Sequence, residues 1–157
     1  MTPVPLWDLA EPRHQRNPLV WHENFWQKGM RVLIADDEKS VGASLADLVT
    51  HCNHEVVAVV ESGFEAIQAY TRHHPDVVVM DYWMSKLNGA TACRNILAKD
   101  PAARIILVSG WSPTTDLSES GAVAILSKPI GINILAEALN AAVQPCTGPV
   151  EWVATLA

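Results

Sequence analysis

Four apolar residues, Val77-Val78-Val79-Met80, run without interruption into an aspartate, Asp81. Three of the four are β-branched, and so short and continuous a run suits a strand buried on both faces of a parallel sheet. A carboxylate is costly to bury unpaired, so Asp81 is expected at the strand's C-terminal end, the edge where open α/β sheets bind ligands. A lone Asp there could equally begin a turn. The other strand ends decide between the two.

Met30 to Ala35 reads as a first buried strand and runs directly into Asp36-Asp37-Glu38. Three adjacent acids repel one another unless something positive lies near. Val41, Leu45, Leu48 and Val49 then recur at helical spacing. His51-Cys52-Asn53-His54 has the look of a ligand cluster, but nothing completes a metal site and the residue types suit a helix C-terminus. Glu55 to Val60 is a second strand. Ser62-Gly63-Phe64-Glu65 has capping-box spacing and opens a helix whose buried side is expected to carry Phe64 and Ile67, with Ala66 and Tyr70 beside them. His73-His74-Pro75 closes it.

After Asp81, Asn88-Gly89 marks a turn and Ala92 to Lys99 a helix. Arg104 to Val108 is a fourth strand ending on Ser109-Gly110. Ser112-Pro113 opens a helix that Gly121 keeps short. Ala122 to Leu126 is a fifth strand ending on Ser127-Lys128-Pro129. A last helix spans Ile132 to Val143, with Ile134, Leu135, Ala138, Leu139 and Ala142 inward.

Five strands alternating with five helices predict a parallel sheet covered on both faces by right-handed crossovers. The chain's 157 residues hold one such domain, over 30–144. Residues 1–29 form an arm rich in Pro and Trp (Trp7, Trp21, Trp26), which packs on its own domain or docks on a partner. Residues 145–157 form a tail, with Trp152 to tack it down.

In a parallel sheet all C-terminal ends share an edge. Asp36, Asp37, Asp81, Ser109 and Lys128 therefore converge. The carboxylates repel by several kcal/mol, on the order expected at intermediate dielectric, and a hard divalent cation relieves this. Mg²⁺ uses one or two carboxylates and accepts phosphate oxygens. Lys128 suits a phosphoryl oxygen, Ser109 can donate to another, and one carboxylate can form an acyl phosphate. A surface network of ion pairs and caps is the alternative.

Composition narrows the partners. A formal net charge of −6 with no basic cluster argues against direct binding to nucleic acid or an anionic membrane. No apolar run approaches a membrane span, and the first residues lack a secretory pattern. Three scattered cysteines, Cys52, Cys93 and Cys146, give neither a disulfide framework nor a zinc motif, which fits a reducing cytosol.

Val32-Leu33-Ile34-Ala35-Asp36-Asp37-Glu38, Val79-Met80-Asp81-Tyr82-Trp83-Met84 with Asn88-Gly89, Leu107-Val108-Ser109-Gly110 and Ser127-Lys128-Pro129 together resemble the receiver domain of bacterial two-component response regulators. The resemblance covers about residues 30 to 144. It implies a flavodoxin-like (βα)5 sheet in the order 2-1-3-4-5. It implies that Asp81 accepts a phosphoryl group from a sensor histidine kinase or histidine phosphotransfer protein. Asp37, Asp81 and the Trp83 backbone carbonyl would bind Mg²⁺ (or Mn²⁺), with Asp36 nearby or acting through water. Ser109 would be the switch hydroxyl and Lys128 the phosphoryl-binding lysine, with a cis peptide before Pro129. The protein would be a cytoplasmic phosphoacceptor rather than an enzyme, signalling through contacts with a downstream protein or a second copy of itself.

Departures qualify this. Ser85 stands where the family usually has proline. Ile125 replaces the usual Tyr or Phe three residues before the lysine, which puts the aromatic read-out in doubt. The segment between Ser109 and Lys128 is short. Trp83 and Trp111 flank the site and either shield an acyl phosphate from water or pack on the loops. A phosphohydrolase of haloacid dehalogenase type would need a second aspartate where Glu38 stands. A flavin binder would need a phosphate loop that the first strand end lacks.

Overall fold

The computed structural model describes residues 29–110 and 115–144. The expectations for the N-terminal arm (apart from Gly29), for Trp111, Ser112 and Pro113, and for the C-terminal tail lie outside these residues.

The elements follow the order β1 (Arg31–Ala35), α1 (Lys39–His51), β2 (Glu55–Val60), α2 (Gly63–His73), β3 (Val77–Asp81), α3 (Gly89–Lys99), β4 (Ile105–Ser109), α4 (Thr115–Ser118), β5 (Ala124–Ser127) and α5 (Ile132–Ala142). The strands form one sheet in the order β2-β1-β3-β4-β5, and every pairing is parallel. The α/β, flavodoxin-like architecture expected from the alternation is therefore the one observed.

The interior strands β3 and β4 are buried at every position, as their continuous apolar runs require. Alternate side chains leave opposite faces and build two separate cores. On one face Leu33, Val78, Met80, Ile105 and Leu107 pack with Ala66 and Ala69 of α2, with Cys93 and Ile96 of α3, and with Leu117 of α4. On the other, Val32, Ile34, Val77, Val79, Ile106 and Val108 pack with Leu45 and Val49 of α1 and with Leu135, Ala138, Leu139 and Ala142 of α5.

Local signals explain most boundaries. Helix α1 ends at Cys52, and Asn53 follows in the left-handed region at φ 60°, so the His-Cys-Asn-His run is a helix terminus. Ser62 Oγ accepts the Glu65 N–H at 3.2 Å, while the Glu65 carboxylate reaches back to the Glu61 N–H, also at 3.2 Å.

Two expectations fail. Phe64 is 60 % exposed, not buried. The inward row of α2 is Gly63, Ala66 and Ala69, spaced by three, and Phe64 falls outside it. Helix α3 begins at Gly89, not Ala92. Asn88 is its N-cap, accepting the Thr91 N–H at 2.8 Å, so the Asn-Gly pair starts the helix directly.

Candidate functional site

Register carries the acids to one another. Ala35 lies beside Met80 in the β1–β3 pairing, so the residues that follow each, Asp36 and Asp81, leave the sheet side by side. Asp81 pairs in register with Val108, and Ser109 with Ser127, so the β4 and β5 ends arrive at the same edge. Lys128 follows immediately, its N–H donating to the Ser109 carbonyl at 2.8 Å, and the Lys128–Pro129 peptide is cis.

Lys128 Nζ lies 3.1 Å from Asp36 Oδ2 and 3.1 Å from Asp81 Oδ1. Both carboxylates are buried, and so is Ser109, whereas Asp37 is exposed. The other Asp36 oxygen accepts the Glu38 N–H at 2.9 Å. Asp37 Oδ2 accepts the Ser85 N–H at 3.2 Å. Each of Asp36, Asp37 and Asp81 offers an oxygen, and the three oxygens all lie within 4.8 Å of one another. Opposite ligands of an octahedral Mg²⁺ are about 4.2 Å apart, given Mg–O distances of 2.0–2.1 Å. The donor set is all oxygen, as a hard cation requires, and the three oxygens lie close enough together to turn toward one shared ion. The residues present therefore fit such an ion.

Burial pushes the Asp81 carboxyl above its ordinary range, and the charges of Asp36 and Asp37 push the same way. The Lys128 hydrogen bond and charge oppose them without prevailing. Desolvation acts to lower the Lys128 ammonium, but its hydrogen bonds to Asp36 and Asp81 and their charges outweigh this and hold it above its ordinary value. The pocket is thus short of positive charge.

The loop after Asp81 is closely built. Gly89 N–H donates to the Tyr82 carbonyl at 2.9 Å. A Cβ on Gly89 would run into the Asp81 carbonyl oxygen, so glycine is required where α3 meets the strand. Gly63 also packs closely on the Leu87 carbonyl, tying the β2–α2 turn to this loop. Met84 is buried in the core beside Tyr82. Trp83 is 59 % exposed and meets the Tyr82 ring edge-on at 5.0 Å. Ile125 is half-buried, paired in register with Leu107, and packs against the α2–α3 core. Pro129 is exposed.

Sequence reading missed one constellation beside the site. The Tyr82 hydroxyl donates to Asp116 Oδ2 at 3.0 Å, and Arg94 Nη1 pairs with Asp116 Oδ1 at 2.9 Å. These bonds link the residue after Asp81 to α4 and α3. The Arg94 and Tyr82 hydrogen bonds hold the Asp116 carboxyl below its usual range. The partners are 34 and 22 residues apart, and no local motif signals them.

Comparison with known proteins agrees with this geometry. The family profile described as "Response regulator receiver domain" matches residues 32–140. The chemotaxis protein CheY of Bacillus subtilis is 35 % identical over 113 residues, covering 70 % of this chain and 94 % of that protein. CheY of Thermotoga maritima is 36 % identical over 115 residues, covering 71 % and 96 % respectively. Among solved structures, the CheX-CheY-BeF3-Mg+2 complex from Borrelia burgdorferi aligns with a TM-score of 0.67 at 26 % identity, over 71 % of this chain and 87 % of that one.

Proposed function

Because the chain belongs to the response regulator receiver domain family of two-component systems, we propose that it is a phosphoacceptor whose Asp81 takes a phosphoryl group from a phosphohistidine on a sensor kinase or phosphotransfer protein. The observation that carries this reading is the contact of one ammonium, Lys128, with two buried carboxylates at one sheet edge, Asp36 and Asp81, with a third, Asp37, in reach.

In the proposed reaction an Asp81 oxygen attacks phosphorus. The P–O bond forms as the P–N bond to the donor imidazole breaks, and the ring nitrogen keeps the electron pair. Mg²⁺, held by Asp37 and Asp81 with Asp36 close by and the Trp83 carbonyl completing the set, would supply charge neutralisation for the transferred oxygens. Lys128 leaves Asp81 for a phosphoryl oxygen, as a compact charge on a flexible stem can. The Ser109 hydroxyl donates to another. Water later cleaves the acyl phosphate and restores Asp81. The Borrelia complex contains Mg²⁺ and BeF3 together, which supports this pairing of ion and phosphoryl mimic.

Output would pass through contacts with a downstream protein or a second copy, in the cytoplasm. Among the described residues no helix is long and apolar enough to cross a membrane. The decisive experiment is intact mass spectrometry after incubation with a small phosphodonor such as acetyl phosphate and Mg²⁺. A gain of one phosphoryl group, mapped to Asp81 and abolished in Asp81→Asn, is expected. Labelling that persists in Asp81→Asn overturns the assignment, and steady turnover of a phosphomonoester would favour a phosphohydrolase instead.

A further inference from the structure

Helix α4 is one turn long, four residues, and a helix that short does not hold itself in water. Its anchors are tertiary. Leu117 is buried in the core under α2 and α3. The Asp116 carboxylate is held at both oxygens, by the Tyr82 hydroxyl at 3.0 Å and by Arg94 Nη1 at 2.9 Å. Tyr82 is the residue after Asp81, and its main chain is fixed on two sides. Its N–H donates to the Val108 carbonyl at 2.8 Å, and its carbonyl accepts the Gly89 N–H at 2.9 Å. Met80 pairs in register with Leu107, and Leu107 with Ile125. Tyr82, two residues beyond Met80, lies on the same face, in the core that holds Leu117 and packs against Ile125. Ile125 has no polar atom with which to report on the pocket; Tyr82 has a hydroxyl, and it reaches α4.

We propose that the Tyr82–Asp116 hydrogen bond is a latch that holds α4 against the domain while Asp81 is unmodified and is released when Asp81 carries a phosphoryl group. This rests on the receiver reading above and deepens it, by naming the contact that the signal breaks. In that reading the Ser109 hydroxyl turns to a phosphoryl oxygen. Five residues, 110–114, separate Ser109 from Thr115, so a main-chain change that begins at Ser109 has a short path to α4. Tyr82 does not follow, because its main-chain bonds and its buried ring keep it in place.

The contact is sensitive to small shifts. A bond of 3.0 Å is lost by about 3.6 Å, so a displacement of α4 of less than about 1 Å opens it. Both bonds to Asp116 are made in the unmodified protein, so movement of α4 can only weaken them. A ligand that favours the displaced arrangement must therefore work against the latch, and removing the latch lowers the cost of binding that ligand by up to the worth of the bond. A merely structural bond, equally intact in both states, would leave the affinity unchanged.

The test is titration of the full chain with beryllofluoride, the phosphoryl mimic, at saturating Mg²⁺, followed by the amide NMR signals of residues 81–83. Tyr82→Phe keeps the ring and removes the hydroxyl, and should bind beryllofluoride about two- to tenfold more tightly than wild type, the scale of one net hydrogen bond. Asp116→Ala removes the acceptor and should tighten binding over the same range. The double variant should bind no more tightly than the tighter single one, because both substitutions break one bond. If Asp116→Ala misfolds by circular dichroism, Asp116→Asn replaces it in every comparison. Equal affinity in all four proteins, or weaker binding in either single variant, overturns the proposal. So does a gain in Tyr82→Phe that the Asp116 variant lacks, since it would arise beside Asp81 and not at α4. A wild-type protein that binds no beryllofluoride in the presence of Mg²⁺ would instead overturn the receiver reading.

Discussion

Replacing Lys128 by methionine removes the cation from two buried carboxylates while keeping the bulk of the stem. At 3.1 Å each contact has a Coulomb energy of about 5 kcal/mol at an effective dielectric of 20. The oxygens of Asp36 and Asp81, within 4.8 Å of each other, repel by about 3.5 kcal/mol or more on the same scale. The loss is capped, because one carboxylate can take up a proton. Holding a group of ordinary pKa near 4 protonated at pH 7 costs about 4 kcal/mol. Breaking a buried pair by removing one partner typically costs 3–5 kcal/mol. Lys128 keeps 28 % of its side chain exposed, which places the expected loss near the low end, at about 3 kcal/mol. For a domain of this size that is roughly 12 °C in Tm. Urea unfolding in EDTA at pH 7 measures it. Adding Asp36→Asn to Lys128→Met should recover part of the loss, because one unpaired charge disappears. Millimolar Mg²⁺ should recover more. A loss under about 1 kcal/mol in EDTA, or a deficit that Mg²⁺ widens, would refute the view of Lys128 as the charge that makes this pocket tolerable.

Gly89→Ala should destabilise by about 2 kcal/mol or more, since the new Cβ meets the Asp81 carbonyl and the backbone must shift; Gly131→Ala, in open space, should change stability by less than about 0.5 kcal/mol in the same urea experiment. Asp81 has a raised pKa, so between its ordinary and its folded value the folded protein holds a proton that the unfolded chain has lost. Metal-free stability should accordingly fall, relative to Asp81→Asn, as pH rises from about 4 through the folded value, and level off above it; a rising difference would contradict the burial argument. Asp116 runs the other way: its contribution is present above the unfolded pKa and is lost as pH falls through the depressed folded value. NMR titration should find the Asp116 carboxyl moved up toward the ordinary range in Tyr82→Phe, and further in Arg94→Met.

Much of this was legible because chemistry and topology coincide at strand ends. Once Ile34-Ala35-Asp36 and Val79-Met80-Asp81 are read as parallel strands, the meeting of their acids follows. Leu45, Val49, Leu135 and Leu139 announce their burial through spacing. Apolar character alone predicts burial of Phe64, but position decides, and the helix turns its small residues Gly63, Ala66 and Ala69 inward. The start of α3 is ambiguous in sequence because Asn-Gly is a turn signal and Asn also an N-cap, and the contact of Gly89 with the Asp81 backbone separates the two. The Ser85 amide has no sequence signature at all, since nearly every residue carries one. The Tyr82–Asp116–Arg94 contacts depend on where the short helix α4 lands beside α3, which spacing alone does not encode.

The sheet also acts as a partition. Val78 and Val79 are covalent neighbours, yet one lies in the compartment under α2 and α3 and the other in the compartment under α1 and α5. Val78 shares its compartment with its register partner Ile105, 27 positions along the chain. Volume changes at adjacent positions of β3 should therefore combine additively, while changes at Val78 and Ile105 should couple. Distance along the polypeptide is a poor guide to which substitutions feel one another here, and each half of the interior is free to drift in composition without consulting the other.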